Sequence, residues 1–140
     1  MPGDVKKKPK VLVVDDDHSL ADNLVAYLSK LGYQAVAAYG GEEALELFRQ
    51  EAYDLVVTDL MMPGMDGMEL LEAIKIIDGK AVVLVITGYA TIESAVEAIR
   101  RGAYDFITKP FKLPELEVIV QRALERRQLA GSLQLFRGLT

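Results

Sequence analysis

The feature that most constrains this chain is an alternation along its length. Uninterrupted apolar runs rich in β-branched residues occupy positions 11–14, 55–57 and 81–86, and longer stretches with helical periodicity lie between them. A run without polar alternation buries both faces, which is how the strands of a parallel sheet read. Positions 33–38 and 104–107 are weaker strand candidates; the first is poor in large apolar residues and suits an edge. Leu20, Leu24, Leu28 and Leu31 share one helical face, and Gly32 is placed to end that helix. Ala44, Leu45 and Phe48 mark a second helix, with Glu42 and Glu43 complementing the dipole of its first turn. Met68, Leu71 and Ile74 (or Lys75) mark a third. Ile92, Ala95, Val96 and Ile99 give a fourth an apolar face, with Thr91 as N-cap and Gly102 as its stop. Pro114 opens a fifth, whose face holds Leu116, Ile119, Val120 and Ala123. This (βα)5 pattern predicts an α/β fold: a doubly wound five-stranded parallel sheet, helices on both faces, right-handed crossovers. Gly131 is expected to interrupt the helix that follows the last strand.

Length and composition close off most other classes. A chain of 140 residues has almost no room for a second domain of ordinary size, about 100–150 residues. A net charge of −5 argues against a uniformly basic, nucleic-acid-binding surface. The lack of cysteine excludes a disulfide framework, a Cys-ligated zinc and a thiol nucleophile. The single histidine, His18, gives a Ser-His-Asp triad or a multi-His metal centre little to draw on. Positions 81–86 fall far short of the roughly 20 apolar residues a membrane-spanning helix needs. The basic start leads into an apolar run too short for a signal peptide. The expectation is a soluble cytoplasmic protein.

The chemistry lies where the strands end. The first ends in Asp15-Asp16-Asp17, the third in Thr58-Asp59, the fourth in Thr87-Gly88, the fifth in Thr108-Lys109-Pro110. In a doubly wound sheet these carboxyl ends share one edge, where ligands bind. Asp15, Asp16, Asp59, Thr87 and Lys109 should therefore converge from distant parts of the sequence. Clustered carboxylates repel and raise one another's pKa. A hard divalent cation relieves this, and Mg²⁺ is commonly held by one or two carboxylates plus phosphate oxygens. A lysine and a threonine hydroxyl can contact phosphoryl oxygens, and an aspartate can itself become an acyl phosphate. Phosphoryl transfer needs mainly positioning and charge neutralisation, which this set supplies.

Four stretches carry a resemblance: Val11-Leu12-Val13-Val14-Asp15-Asp16-Asp17, Asp59-Leu60-Met61-Met62-Pro63-Gly64-Met65-Asp66-Gly67, Val85-Ile86-Thr87-Gly88 and Lys109-Pro110-Phe111. The chain resembles the response-regulator receiver domains of two-component signalling over positions 10–125. The resemblance implies the flavodoxin-like strand order 2-1-3-4-5. It implies that Asp59 accepts a phosphoryl group from a sensor histidine kinase, catalysing only its own phosphorylation and dephosphorylation. It implies Mg²⁺ on Asp16, Asp59 and the backbone carbonyl of Met61, with Asp15 holding a metal-bound water or orienting the site. Thr87 would follow the phosphoryl group, Lys109 would contact one of its oxygens, and the Lys109–Pro110 peptide would be cis. Phe106 takes the place of a switch aromatic; lacking a hydroxyl, it can work only by burial. Met61 and Tyr89 flank the site, and neither can orient an attacking water, so slow autodephosphorylation is expected.

The stretches 87–91 and 101–106 are similar to receivers that precede sigma-54-dependent AAA+ activators. That likeness implies homodimerisation through the fourth helix, fifth strand and fifth helix on phosphorylation, with an AAA+ and DNA-binding output domain outside this sequence and no direct nucleic-acid contact by the receiver. Positions 1–9 then read as a flexible basic arm, 10–125 as the receiver and 126–140 as a helical extension toward the output domain. Leu129, Leu133 and Phe136 have helical contact spacing. The alternatives are a stand-alone receiver and, from Asp15-Asp16-Asp17-His18-Ser19, a haloacid-dehalogenase-type phosphatase with Asp15 as nucleophile. A flavodoxin-like binding module would want a Ser/Thr/Gly-rich loop where the aspartates stand. Taken singly, Asp17 reads as a helix cap and His18 as a solvated residue. Met61, Met62 and Met65 read as loop and core packing, positions 6–10 as a mobile arm, and Arg122, Arg126 and Arg127 as a solvated helix face or a dimer contact.

Overall fold

A computed structural model describes residues 8–88 and 91–139, with side chains described to residue 127. Ten elements alternate: β1 (Lys10–Val14), α1 (His18–Lys30), β2 (Gln34–Ala38), α2 (Gly41–Gln50), β3 (Leu55–Asp59), α3 (Gly67–Ile77), β4 (Val83–Thr87), α4 (Ile92–Arg100), β5 (Asp105–Thr108) and α5 (Leu113–Leu139). The strands form one parallel sheet in the order β2-β1-β3-β4-β5. β1, β3 and β4 lie inside it, and their apolar runs are buried throughout apart from Lys10 at the start of β1. β2 is an edge and is only half-buried.

Because strand side chains alternate between faces, the sheet separates two cores. Leu12, Val14, Val56, Val83 and Val85 pack against Ala44, Leu45 and Phe48 of α2, Leu70, Leu71 and Ile74 of α3 and Ala98 of α4. Val11, Val13, Leu55, Val57, Leu84 and Ile86 pack against Ala21, Leu24 and Leu28 of α1 and Leu116, Val120 and Ala123 of α5. So α2, α3 and α4 cover one face and α1 and α5 the other.

Capping follows the local chemistry. Asp17 caps α1, accepting from the Leu20 amide at 3.1 Å, and Gly32 beyond its end takes φ +99°. Asp66 with Glu69, and Thr91 with Ser94, form capping boxes on α3 and α4. Gly102 takes φ +107° after α4.

Several expectations need correction. Lys10 is not part of a mobile arm: it is the first residue of β1 and its ammonium pairs with Glu51. β4 begins at Val83; Ala81 and Val82 are buried but lie in the irregular segment just before the strand. The helical periodicity of α4 is real, yet only Ala98 is buried, and Ile92, Val96 and Ile99 are 85%, 47% and 48% exposed. The backbone of α5 continues through Gly131 to Leu139 as one helix; a glycine costs a helix only about 1 kcal/mol. Arg127 is not merely solvated: it donates to Asp78 at 3.1 Å and to the Lys80 carbonyl at 2.9 Å. The side chains of Leu129, Leu133 and Phe136 lie outside the described residues.

Candidate functional site

The carboxyl edge of the sheet is built by register. Val14 pairs with Thr58, Asp59 with Ile86 and Thr87 with Thr108, so Asp15, Asp59, Thr87 and Lys109 emerge at one level. Asp15, Asp59 and Thr87 are buried, while Asp16 is exposed at the rim. The carboxylates of Asp15, Asp16 and Asp59 each place an oxygen within 4.8 Å of the others. The Lys109 ammonium lies between two of them, donating to Asp15 Oδ2 and to Asp59 Oδ2 at 2.8 Å each.

The other oxygens are also held. Asp15 Oδ1 accepts from the Asp17 amide at 2.9 Å, and the Asp15 amide donates to the Ala38 carbonyl at 3.1 Å. Asp59 Oδ1 accepts from the Met61 amide at 3.2 Å. The Lys109 amide donates to the Thr87 carbonyl at 2.9 Å, which ties the end of β5 to the end of β4. The Lys109–Pro110 peptide is cis.

Electrostatics set the chemistry. Burial pushes the Asp15 carboxyl above the usual range; the Lys109 hydrogen bond lowers it but does not cancel the rise. Burial opposes the charge on Lys109, but its hydrogen bonds to Asp15 and Asp59 outweigh that and hold its pKa above the ordinary lysine value. One ammonium faces three carboxylates, which leaves a net negative pocket of hard oxygen donors. That donor set fits a hard divalent cation.

Phe106 lies on β5, half-buried against the α2–α3–α4 core. Met62 is buried and Met65 packs against the same core, but Met61 is 57% exposed, so the packing expected of it is not found. Tyr89 lies outside the described residues. His18 is exposed and stacks on Tyr39, with ring centroids 3.9 Å apart.

Sequence reading missed the supports of the β3–α3 loop. Glu42 at the start of α2 accepts from the Met65 amide at 3.2 Å. At Gly67, a Cβ would lie 2.1 Å from the Asp59 carbonyl oxygen. Gly67 stands in a quoted motif, but its role depends on an approach that spacing along the chain does not reveal.

Among the described residues no helix is long and apolar enough to cross a membrane. Comparison with known proteins bears directly on the acidic edge. Regulatory protein AtoC of Escherichia coli (strain K12) is 38% identical over 120 residues, 86% of this chain and 26% of that protein. Transcriptional regulatory protein ZraR of Klebsiella oxytoca is 39% identical over 122 residues, 87% of this chain and 28% of that protein. The chain thus spans about a quarter of the length of these curated relatives. The crystal structure of a CheY-like response regulator receiver domain protein from Methanospirillum hungatei JF-1 is similar with a TM-score of 0.86 at 28% identity, covering 89% of this chain and 99% of that one. The response regulator receiver domain family matches residues 11–121. Because that match runs from the first strand into the fifth helix and takes in the whole acidic edge, the chain belongs to the family of response regulator receiver domains.

Proposed function

We propose that this domain is a phosphorylation-activated switch that accepts a phosphoryl group on Asp59 from a sensor histidine kinase. The observation that carries this reading is Lys109 bridging Asp15 and Asp59 beside Asp16 at the carboxyl edge of the sheet. An Asp59 carboxylate oxygen attacks phosphorus, the bond from phosphorus to the donor imidazole nitrogen breaks, and an acyl phosphate remains. Lys109 offers its ammonium to a phosphoryl oxygen, and Thr87 its hydroxyl to another. Mg²⁺, held by Asp16, Asp59 and the Met61 carbonyl with Asp15 orienting the site, would neutralise charge gathering on the phosphoryl group.

Intact-mass measurement after incubation with acetyl phosphate tests this. Wild type should gain one phosphoryl group with Mg²⁺ and none without it, and Asp59→Asn should gain none. An adduct that survives Asp59→Asn but is lost in Asp15→Asn would overturn the assignment in favour of the phosphatase-like chemistry. The same adduct should decay slowly and decay faster in Met61→Asn, because an amide there can orient water where a thioether cannot.

The output is the second part of the proposal. The name of one relative, Transcriptional regulatory protein ZraR, favours control of transcription, and the likeness of stretches 87–91 and 101–106 to receivers of sigma-54-dependent AAA+ activators favours an output domain of that kind beyond residues 126–140. The exposed Ile92, Val96 and Ile99 on α4 support regulated dimerisation through α4, β5 and α5, since apolar side chains on one helix face gain from being covered. Inward movement of Thr87 leaves space that Phe106 can fill, repacking the base of that face. Sedimentation should show a dimer that strengthens on phosphorylation and weakens in Val96→Lys; a monomer in both states refutes it for this domain.

A further inference from the structure

Parallel strands give the sheet two unlike edges, and the edge opposite Asp59 holds a cavity of about 450 Å³. It opens between α3, α4 and α5, below the entries to β4 and β5. Three cations line it: Lys75 from α3, Lys80 from the α3–β4 turn and Arg126 from α5. Ile99 and Tyr104 add apolar wall. No carboxylate lines it among the described residues.

Among the described residues none of the three cations forms a direct ion pair. Lys75 is half-buried, and its ammonium donates to the Ala81 carbonyl at 2.9 Å, a neutral acceptor. Burial pushes its pKa down; Asp78 opposes this, while Arg126 and Arg127 press in the same direction as burial. Asp78, the nearby carboxylate, is engaged by Arg127 and by the Lys80 amide at 3.0 Å. Arg126 lies 5.9 Å over the Tyr104 ring, a contact that orients its guanidinium without cancelling the charge.

Gly102 lies beside the Lys75 stem in the cavity wall. Its φ is +107°, and a Cβ there would lie 2.9 Å from Lys75 Cε. A side chain at this position would crowd the lysine stem that crosses the cavity wall.

We propose that this cavity is a binding site for a small molecule that carries phosphate groups and is about the size of a nucleotide. The volume falls within the roughly 300–1,000 Å³ of small-molecule sites. Phosphate oxygens match cations drawn from three separate elements, and the Ile99–Tyr104 wall suits an apolar or planar remainder. The concave shape favours a small molecule over a flat protein surface. Such a ligand touches α3, α4 and α5 at once.

Titration with ADP and with inorganic pyrophosphate, both in EDTA, followed by nitrogen–proton correlation NMR, tests the site. ADP should give saturable shifts confined to amides near residues 79–82 and 102–104. Its Kd should rise about tenfold in Lys75→Met and in Lys80→Met, the loss expected for one charge-assisted contact. Asp59→Asn should leave it unchanged, which separates this cavity from the phosphorylation site. Lys80 is exposed, so its variant reports on binding even if Lys75→Met disturbs packing. Pyrophosphate binding as tightly as ADP supports a ligand read through phosphate alone; tighter ADP supports a nucleotide. Shifts that fail to saturate, or that both lysine variants leave unchanged, overturn the proposal. So does saturable binding of a glutamate-rich peptide with no response to either phosphate compound, which would assign the cavity to an acidic protein partner.

Discussion

Gly67→Ala should cost the domain about 2–3 kcal/mol of stability, the range of a forced overpacking, and slow phosphoryl acceptance at least about tenfold. The substitution is mild by every local measure. Gly67 is the first residue of α3, its φ is not in the left-handed region, and alanine is a better helix former by about 1 kcal/mol. What decides the sign is the neighbour. An added methyl would stand 2.1 Å from the Asp59 carbonyl oxygen and 2.7 Å from Leu60 Cα. Both are backbone atoms, and the Gly67 amide also donates to the Leu60 carbonyl at 2.9 Å, so neither side can swing away. Relief requires shifting the chain that carries the Asp59 carboxylate. Gly79→Ala is the comparison: its Cβ would meet nothing closer than 3.9 Å, so it should stay within about 0.5 kcal/mol of wild type. Urea denaturation of the two variants, with the acetyl phosphate reaction run on each, checks both halves. A Gly67→Ala protein as stable and as reactive as wild type would mean that the β3–α3 junction has slack this geometry does not contain.

The same contrast shows what was legible in the sequence. The runs at 11–14, 55–57 and 81–86 identified the interior strands because burial on both faces leaves no polar alternation to misread. The carboxyl-edge aspartates were legible because parallel topology turns distant strand ends into neighbours. Legibility failed wherever a property depended on what lies across a gap. Periodicity described the amphipathic face of α4 but not whether anything covers it, and Ile92 is left 85% exposed. Lys10 read as the end of a basic tail, yet its backbone is in register with Gln34 and hydrogen-bonded to Asp54, and its ammonium pairs with Glu51. Arg127 read as one of several solvated arginines, yet it ties α5 to Asp78 at the end of α3. Gly131 read as a break because propensity was weighed without the rest of a long helix. The basic cavity below β4 and β5 had no linear signal at all, since its cations come from three elements.

Lys109→Met should destabilise the metal-free domain by about 2 kcal/mol at neutral pH and make its stability strongly dependent on Mg²⁺. The Lys109 side chain is 23% exposed, and its ammonium bonds two carboxylates whose side chains are 6% and 10% exposed. Removing one partner of a buried ion pair costs about 3–5 kcal/mol; the partial exposure of Lys109 and the freedom of Asp15 to take up a proton reduce that. The pH dependence follows from the direction of the shift. Burial already holds Asp15 above the usual carboxylate range despite Lys109, and losing the cation raises it further. A carboxyl whose folded pKa exceeds its unfolded one favours folding below the unfolded value, about 3.9, and loses that contribution as pH rises through the folded value. The variant should therefore approach wild type in acid and fall behind as pH rises toward neutrality. Wild type keeps the lysine contribution until pH climbs through its raised pKa, in the alkaline range. Mg²⁺ should restore the variant, because a bound ligand at about a hundred times its Kd adds about 2.7 kcal/mol. The gain should exceed that of wild type, where Lys109 already offsets part of the carboxylate charge. Denaturation curves from acid to neutral pH, with and without Mg²⁺, read this out. A loss of the same size at every pH, or an equal Mg²⁺ gain in both proteins, would mean that Lys109 acts through packing and not as the charge that lets Asp15 and Asp59 share one edge.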